Sequence, residues 1–318
     1  MPRVIRKTAI LAKIETTYGT DATPTGAANA MLISNASFEI SYNNVSRDLI
    51  RPFLGGSEQL TGTRSVRATF DVEIAGSGAA GTAPAYGALL RACGMAEAVT
   101  ASTRVDYTPV STGFESVTIY YSVDGVLHKA LGCMGNFTMN MNEGERPVFS
   151  FTFTGIDGGT TAAADPSLTL TAWKAPLVIT DQNTGDIKLG GTYSAGTITG
   201  GTIYPSRGLS LDAGNSVQFI PLLGGQTVNI TQRETTGSMQ LDLTAAQLVT
   251  AITDINGNAT TSLSLEHGTA TGGKIIVFAP SVQRINPRHV DFNGNAHLST
   301  DLRLLPSSGN DELRIVAL

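Results

Sequence analysis

The chain has 318 residues, of which 41% are hydrophobic, 15% are charged and 35 are glycine. This length and hydrophobic content suit two domains, each with a hydrophobic core. The many glycines favour a turn-rich, mainly β protein. The formal net charge of −5 argues against a sequence-reading nucleic-acid binder, which usually presents a basic face. Because the sequence has no run of about 18 apolar residues, it predicts a soluble protein with no membrane partner.

Residues 1–30 predict an N-terminal arm, because they are mostly polar and rich in turn formers. Residues 31–160 predict a first β domain. Its first two strands, over Met31–Tyr42 and Arg64–Ile74, alternate between apolar and polar side chains, as expected for half-buried strands. The segment Asn43–Leu60 between them predicts a long connection that carries charges of both signs.

Further along the first domain, Pro84 opens a short predicted helix that ends at Gly94. Asp124-Gly125 is typical of the turn of a β-hairpin. In the predicted strand Val148–Thr154, phenylalanines alternate with serine and threonine, so one face of this strand is expected to be buried.

Residues 161–200 predict a linker of small residues, and residues 201–318 predict a second β domain with a similar order of elements. Its helix begins with Thr244-Ala245-Ala246-Gln247, a capping box in which the Thr hydroxyl and the Gln amide satisfy backbone N–H groups reciprocally. The residues predicted to form the buried side of this helix are Leu248, Val249 and Ile252.

A motif is repeated in the two halves. Arg51-Pro52-Phe53-Leu54-Gly55-Gly56 is matched by Ile220-Pro221-Leu222-Leu223-Gly224-Gly225, with the two prolines 169 residues apart (221 − 52). Alternating strands flank both copies of the motif. We therefore predict two tandem copies of one β unit, each with a strand, a long loop and a returning strand.

The sequence contains little that indicates catalysis. Its four histidines lack partners at metal-ligand spacing, and no Gly-x-Ser-x-Gly motif is present to carry a nucleophilic serine. His289 and Asp291 are interpreted as a solvated strand face in preference to a pair of metal ligands. Cys93 and Cys133 are too few for a disulfide framework and are predicted to be reduced, partly buried thiols. We predict no enzymatic activity, no metal and no cofactor.

The opening segment Lys7–Pro24, KTAILAKIETTYGTDATP, resembles that of tail tube (major tail) proteins of long-tailed bacteriophages. The order of strand, long loop, strand, short helix and further strands over residues 31–155 is also similar to theirs. This resemblance implies a β-sandwich or barrel with short helices, whose monomers form rings that stack into a tube for DNA. It also implies tape measure, tail terminator and distal tail proteins as partners. The expected location is the virion tail, after assembly in the host cytoplasm, and the sequence has no signal-peptide pattern.

The apparent duplication changes the ring that is expected, since the commoner members of that family have one domain and form six-chain rings. If each copy contributes roughly four strands, one chain contributes roughly eight and three chains contribute roughly 24 strands. Barrels of 16 to 18 strands already leave a water channel. We predict a trimeric ring with pseudo-sixfold symmetry. The alternative is a hexamer in which the second half decorates the outside.

Two sets of functional residues follow from this interpretation. A neutral or acidic lumen repels DNA phosphates and lets the duplex slide, whereas a basic lumen would hold it. The polar residues predicted to line the lumen are Glu39, Thr69, Asp71, Glu73, Ser150, Thr152, Gln240 and Asp242. The residues predicted to contact the next ring lie in the loops Asn43–Leu60 and Asp212–Arg233 and are Arg47, Asp48, Arg51, Pro52, Gly55, Gly56, Pro221, Gly224 and Gly225.

Two other functions remain open from the sequence. One is a distal tail or baseplate hub protein, which forms a ring without polymerising. The other is a receptor- or carbohydrate-binding β module at the virion tip. Sugar sites usually present exposed aromatic rings, and the single Trp173 lies in the connecting region.

Overall fold

The computed structural model describes residues 2–318 and shows the mainly β protein that the sequence predicts. Within those residues the chain forms nineteen strands and two short helices. The strands are β1 (Thr8–Ile14), β2 (Ala30–Met31), β3 (Ser34–Ser46), β4 (Gln59–Glu73), β5 (Met95–Thr100), β6 (Arg104–Pro109), β7 (Val117–Val123), β8 (Val126–Asn142), β9 (Val148–Ala162), β10 (Ile187–Ser194), β11 (Thr197–Tyr204), β12 (Ser206–Asp212), β13 (Asn215–Leu222), β14 (Gly225–Arg233), β15 (Thr236–Leu241), β16 (Thr260–His267), β17 (Ile275–Phe292), β18 (Asn295–Leu304) and β19 (Arg314–Ala317). The helices are α1 (Gly87–Ala92) and α2 (Ala245–Asn256).

Eight of these strands form one continuous antiparallel layer within the described residues. Their order across the layer is β3-β4-β9-β8-β12-β15-β18-β17. The first four strands come from the first half of the chain and the last four from the second half. The halves join where Thr138–Asn142 of β8 pairs with Gly208–Asp212 of β12, and we call this pairing the internal seam.

The two halves of the layer match in register. Phe38 of β3 lies opposite Ala68 of β4, and Leu209 of β12 lies opposite Met239 of β15. The two strand pairs therefore correspond at an offset of 171 residues (209 − 38 and 239 − 68), two more than the repeated motif indicated. Because side chains alternate along a strand with a period of two, this difference leaves every residue on its predicted face.

The main core lies against one face of this layer. Phe70 of β4 and Phe149, Phe151 and Phe153 of β9 are each at most 1% exposed, and neighbouring rings in this group lie 5.7 to 6.0 Å apart between centroids. Burying side chains of this size contributes about 1.5–3 kcal/mol each, so this group is a main source of stability. Other strands and α1 cover the core from the opposite side, through residues such as Leu89.

The predicted turn and helix start are both confirmed. Asp124 and Gly125 have positive φ angles of 39° and 86° and connect β7 to β8. Thr244 caps α2, since its hydroxyl accepts a hydrogen bond from the Gln247 N–H while the Gln247 side chain accepts one from the Thr244 N–H. The predicted buried side of α2 is wrong at Val249, which is 67% exposed because the helix turns its Ala251 side toward the protein.

The N-terminal segment and the central segment contain more regular structure than an arm and a linker. Within 1–30, β1 pairs with both β2 and β7. Within 161–200, β10 pairs with β11 and β16, and β11 continues past residue 200. The division into 1–30, 31–160, 161–200 and 201–318 remains a proposal, which the matched register of the two halves supports.

Candidate functional site

The residues predicted to line a lumen belong to the eight-stranded layer and alternate with its core residues. On β4, for example, Thr69 and Asp71 flank the buried Phe70. Thr69 lies opposite Thr152 of β9, and Asp71 lies opposite Ser150. These four side chains therefore form one patch on the polar face of the layer. The remaining members of the set are Glu39 on β3, Glu73 on β4, Gln240 on β15 and Asp242, which directly follows β15.

Part of the negative charge on this polar face is compensated. Glu73 accepts a hydrogen bond from the Arg146 guanidinium at 2.7 Å. Glu39 lies directly opposite Arg67 of the next strand. Exposed pairs of this kind add little to stability, but they lower the field that the face presents to a nearby polyanion. The polar face is thus closer to neutral than its carboxylates alone indicate.

The strands β3 and β4 extend beyond the core as a hairpin, and we call residues 42–64 the first hairpin. Strand pairing continues to Ser46 and Gln59, so the irregular tip spans residues 47–58 and is shorter than the predicted connection. At the tip, Ile50 and Leu54 are fully exposed apolar side chains. The predicted inter-ring residues in this tip are all exposed: Arg47, Asp48, Arg51, Pro52, Gly55 and Gly56.

The loop predicted over Asp212–Arg233 is wrong, because this segment is a second β-hairpin. We call residues 213–235 the second hairpin, and its strands β13 and β14 are joined by the turn Leu223-Gly224. Its buried side chains include Val228 and Ile230, which pack against Met134 of β8, and this contact fixes the segment on its own chain. The predicted contact residues are exposed near the tip, with Pro221 in β13, Gly224 in the turn and Gly225 at the start of β14.

Polar contacts also anchor the second hairpin. The Val228 N–H donates a hydrogen bond to the Tyr18 hydroxyl at 2.5 Å. Burial raises the pKa of Tyr18 above its ordinary value, although its hydrogen bond with the Val228 backbone opposes the rise. The Arg233 guanidinium donates to Glu312 at 2.6 Å and to the Val110 carbonyl at 2.6 Å. The hairpin is therefore tied to three separate parts of its own chain.

The eight-stranded layer has two open edges within residues 2–318. At one end, β3 pairs with β4 on one side, and its other side has no strand. At the other end, residues 284–292 of β17 pair with β18, and their other side is likewise free. Sequence reasoning missed the second edge. The dipeptide Asn293-Gly294, a strong hairpin signal, would have located it.

Comparison with known protein families adds an independent finding. A family model described as phage tail tube protein matches residues 5–304. The chain belongs to the phage tail tube protein family. The resemblance based on Lys7–Pro24 and on the order of elements is therefore confirmed. No curated protein matches the chain.

Membership of this family makes the chain a structural tail tube protein of a bacteriophage virion. It implies in general that the protein self-assembles and has partners in the tail. The two open edges, the exposed tip of the first hairpin and the polar face of the layer are the candidate functional surfaces of this tail tube protein.

Other features of the tail tube protein bear on the remaining sequence predictions. Among residues 2–318, no group of three or more His, Cys, Asp or Glu side chains is placed to hold a metal ion. His289 and Asp291 are exposed on the open edge of β17. Neither helix in the described part of the chain has the length and apolar character needed to cross a membrane. Cys93 and Cys133 are free and buried, as predicted, and burial raises the pKa of both thiols.

Proposed function

We propose that three copies of this tail tube protein close into a ring with pseudo-sixfold symmetry, and that the rings stack into the tube through which DNA passes into the host. The observation that carries the proposal is the matched pair of four-stranded sets, joined side by side by the internal seam. We take these sets as two tandem copies of one unit. Three chains of eight strands give a wall of about 24 strands, and barrels of 16 to 18 already enclose an aqueous channel.

In this ring, the polar face of the layer lines the lumen. Its support is the alternation of Thr69, Asp71, Ser150 and Thr152 with a fully buried aromatic core, which places them on the opposite face of the layer from that core. The lining consists of hydroxyls, carboxylates and arginines such as Arg67 and Arg146 that lie beside those carboxylates, so it offers DNA few uncompensated cations. The duplex gains little from counterion release there and moves freely.

Contacts between successive rings are made by the tip of the first hairpin, with a smaller contribution from the tip of the second. The support is that Ile50, Phe53 and Leu54 are exposed on a segment that reaches beyond its own core. Large apolar side chains grouped on an exposed tip are typical of an interaction site.

The remaining assignments rest on the family. The protein has a structural role without catalysis, the tape measure, tail terminator and distal tail proteins are its other partners in the tail, and assembly takes place in the host cytoplasm. The tail tube family favours this role over the hub and the tip module, which were the alternatives from the sequence.

Electron microscopy of the purified chain tests the proposal. We expect hollow tubes whose end-on views show six similar lobes. A gold label attached to a Thr152→Cys variant should lie inside the tube. Discrete rings that never stack, or monomers at high concentration, would contradict polymerisation, and a label on the outer wall would contradict the lumen assignment.

A further inference from the structure

We infer that the contact between neighbouring chains repeats the internal seam, with β17 of one copy pairing antiparallel to β3 of the next in a single register. In that register Val290 lies opposite Ser41, Asp291 opposite Ile40 and Phe292 opposite Glu39 of the neighbouring copy. This inference rests on the proposed ring and names the residues that close it.

The internal seam provides the template. In it, Met139 of β8 lies opposite Leu211 of β12, and Thr138 lies opposite Asp212. The Ala213 N–H continues the pattern by donating to the Phe137 carbonyl at 3.0 Å. Phe137 and Met139 therefore direct their backbone groups toward β12, while Thr138 and Asp212 form a non-hydrogen-bonded pair, the closer kind in an antiparallel ladder.

Corresponding strands of the two halves are found from their shared neighbours. β3 corresponds to β12 at an offset of 171. Phe153 of β9 lies opposite Ala68, and Thr300 of β18 lies opposite Met239, the counterpart of Ala68. β9 therefore corresponds to β18 at an offset of 147 (300 − 153).

The strands β8 and β17 are matched in the same way, through their pairing with β9 and β18. Thr138 lies opposite Ser150 in the first half, and the counterpart of Ser150 in β18 is His297, which lies opposite Val290. β8 therefore corresponds to β17 at an offset of 152 (290 − 138). Moving the internal pair Thr138–Asp212 by these offsets gives Val290 opposite Ser41.

The turn between β17 and β18 gives an independent check of the hydrogen-bonding pattern. Asn293 and Gly294 have φ angles of 51° and 87°, as in the two-residue turn of a tight hairpin. In such a hairpin the flanking residues Phe292 and Asn295 bond to each other, so Asp291 and His289 direct their backbone groups away from β18. These are the counterparts of Met139 and Phe137, which direct theirs into the internal seam. The two patterns agree.

Exposure of both edges fits a missing partner strand. Ser41, Tyr42, His289 and Asp291 are all exposed, and an open edge of this kind pairs readily with another chain. Pro287, the counterpart of Gly135, has no N–H to donate. The seam between chains therefore begins after Pro287, at His289. It ends at Phe292, because the counterparts of Met141 and Asn142 are Asn293 and Gly294 of the turn, so it is shorter than the internal seam.

Disulfide formation across the seam tests this register. Ser41→Cys/Val290→Cys places two thiols at a non-hydrogen-bonded pair, where the short distance between strands suits a disulfide. Cys93 and Cys133 are buried and do not compete. After assembly and mild oxidation, we expect covalent dimers and closed trimers without larger species.

Two control variants accompany this experiment, one that should form no disulfide and one that should form a disulfide within a single chain. Ser41→Cys/Asp291→Cys is shifted by one residue, so its thiols lie on opposite faces and should remain unlinked. Asn140→Cys/Ser210→Cys bridges the internal seam and should give an oxidised monomer. If the double variant fails to assemble, an equal mixture of the two single variants, Ser41→Cys and Val290→Cys, should give covalent dimers.

The outcomes separate the register from the proposed function. Rings or tubes that assemble without a disulfide from Ser41→Cys/Val290→Cys, or that link through the shifted pair, overturn the register and leave the ring intact. Absence of any ring from the unmodified chain overturns both.

Discussion

The first and second hairpins occupy equivalent places in the two halves, yet they have different surroundings. Each is 23 residues long (64 − 41 and 235 − 212) and connects strands that match at the same offset. The second hairpin buries Val228 completely and is anchored by Tyr18 and Glu312. The first extends beyond the core with an exposed apolar tip.

This difference shows which contacts the chain satisfies alone and which require another molecule. The second hairpin has its partner in cis, because β8 of the first half lies beside it. The first hairpin lies at the open edge of β3, where the corresponding place is empty within residues 2–318. At the positions that correspond to the buried Val228 and Ile230, it carries the polar residues Ser57 and Gln59 (228 − 171 and 230 − 171), so it does not simply repeat the packing of the second hairpin on a neighbouring copy. We therefore assign it to the next ring.

Removing the tip of the first hairpin should have the largest effect. Deletion of Leu54–Ser57 should leave a soluble protein whose free energy of unfolding changes by less than about 0.5 kcal/mol, because exposed tips contribute little to folding. The variant should form no tubes by electron microscopy. Leu222→Ser/Leu223→Ser, at the tip of the second hairpin, is the matched control and should weaken polymerisation less. Normal tubes from the deletion variant would remove the first hairpin from the inter-ring contact.

The ion pairs of the two hairpins should differ strongly in their effect on stability. Glu312→Gln removes the charge that faces the largely buried Arg233 and should cost about 3 kcal/mol in the free energy of unfolding. Glu58→Gln, which loosens the exposed pairs with Arg47 and Arg51, should cost less than about 0.5 kcal/mol. Urea denaturation of both variants measures the difference. Equal costs would show that the second hairpin is not anchored more firmly than the first.

A smaller effect is expected at Tyr18. Tyr18→Phe leaves the Val228 N–H without its partner and should cost about 1–2 kcal/mol at neutral pH. The raised pKa of Tyr18 means that folding favours its protonated form. The stabilisation by the protonated Tyr18 hydroxyl is present below about pH 10 and is lost as the pH rises through the pKa of Tyr18 in the folded protein. The difference in stability between wild type and Tyr18→Phe should therefore shrink above pH 10. A constant difference would contradict the assignment.

Local patterns in the sequence predicted much of this fold. The alternation of Phe149, Phe151 and Phe153 gave the core face of β9, and Asp124-Gly125 and Thr244 gave a turn and a helix start, because these signals act within a few residues. The second hairpin was mistaken for a loop since its Pro and Gly-Gly residues suggested a turn-rich segment. Its strands depend on packing against Met134, a contact distant in sequence.

The candidate site was harder to predict from the sequence than the fold. The polar residues of the layer followed from alternation, but which of them are compensated depends on neighbours such as Arg146, which lies 73 residues from Glu73. Asn293-Gly294 marks the hairpin that carries the second open edge, but whether a strand lacks a partner depends on the strand pairing of the whole sheet, which local patterns do not contain. The internal seam between β8 and β12 was missed for the same reason.

The number of chains in one ring tests the central claim most directly. Native mass spectrometry of rings released from tubes, together with the symmetry of end-on views, gives that number. The matched halves and their two open edges predict three chains with six similar lobes. Six chains per ring would contradict the claim that one chain supplies two adjacent units of the wall.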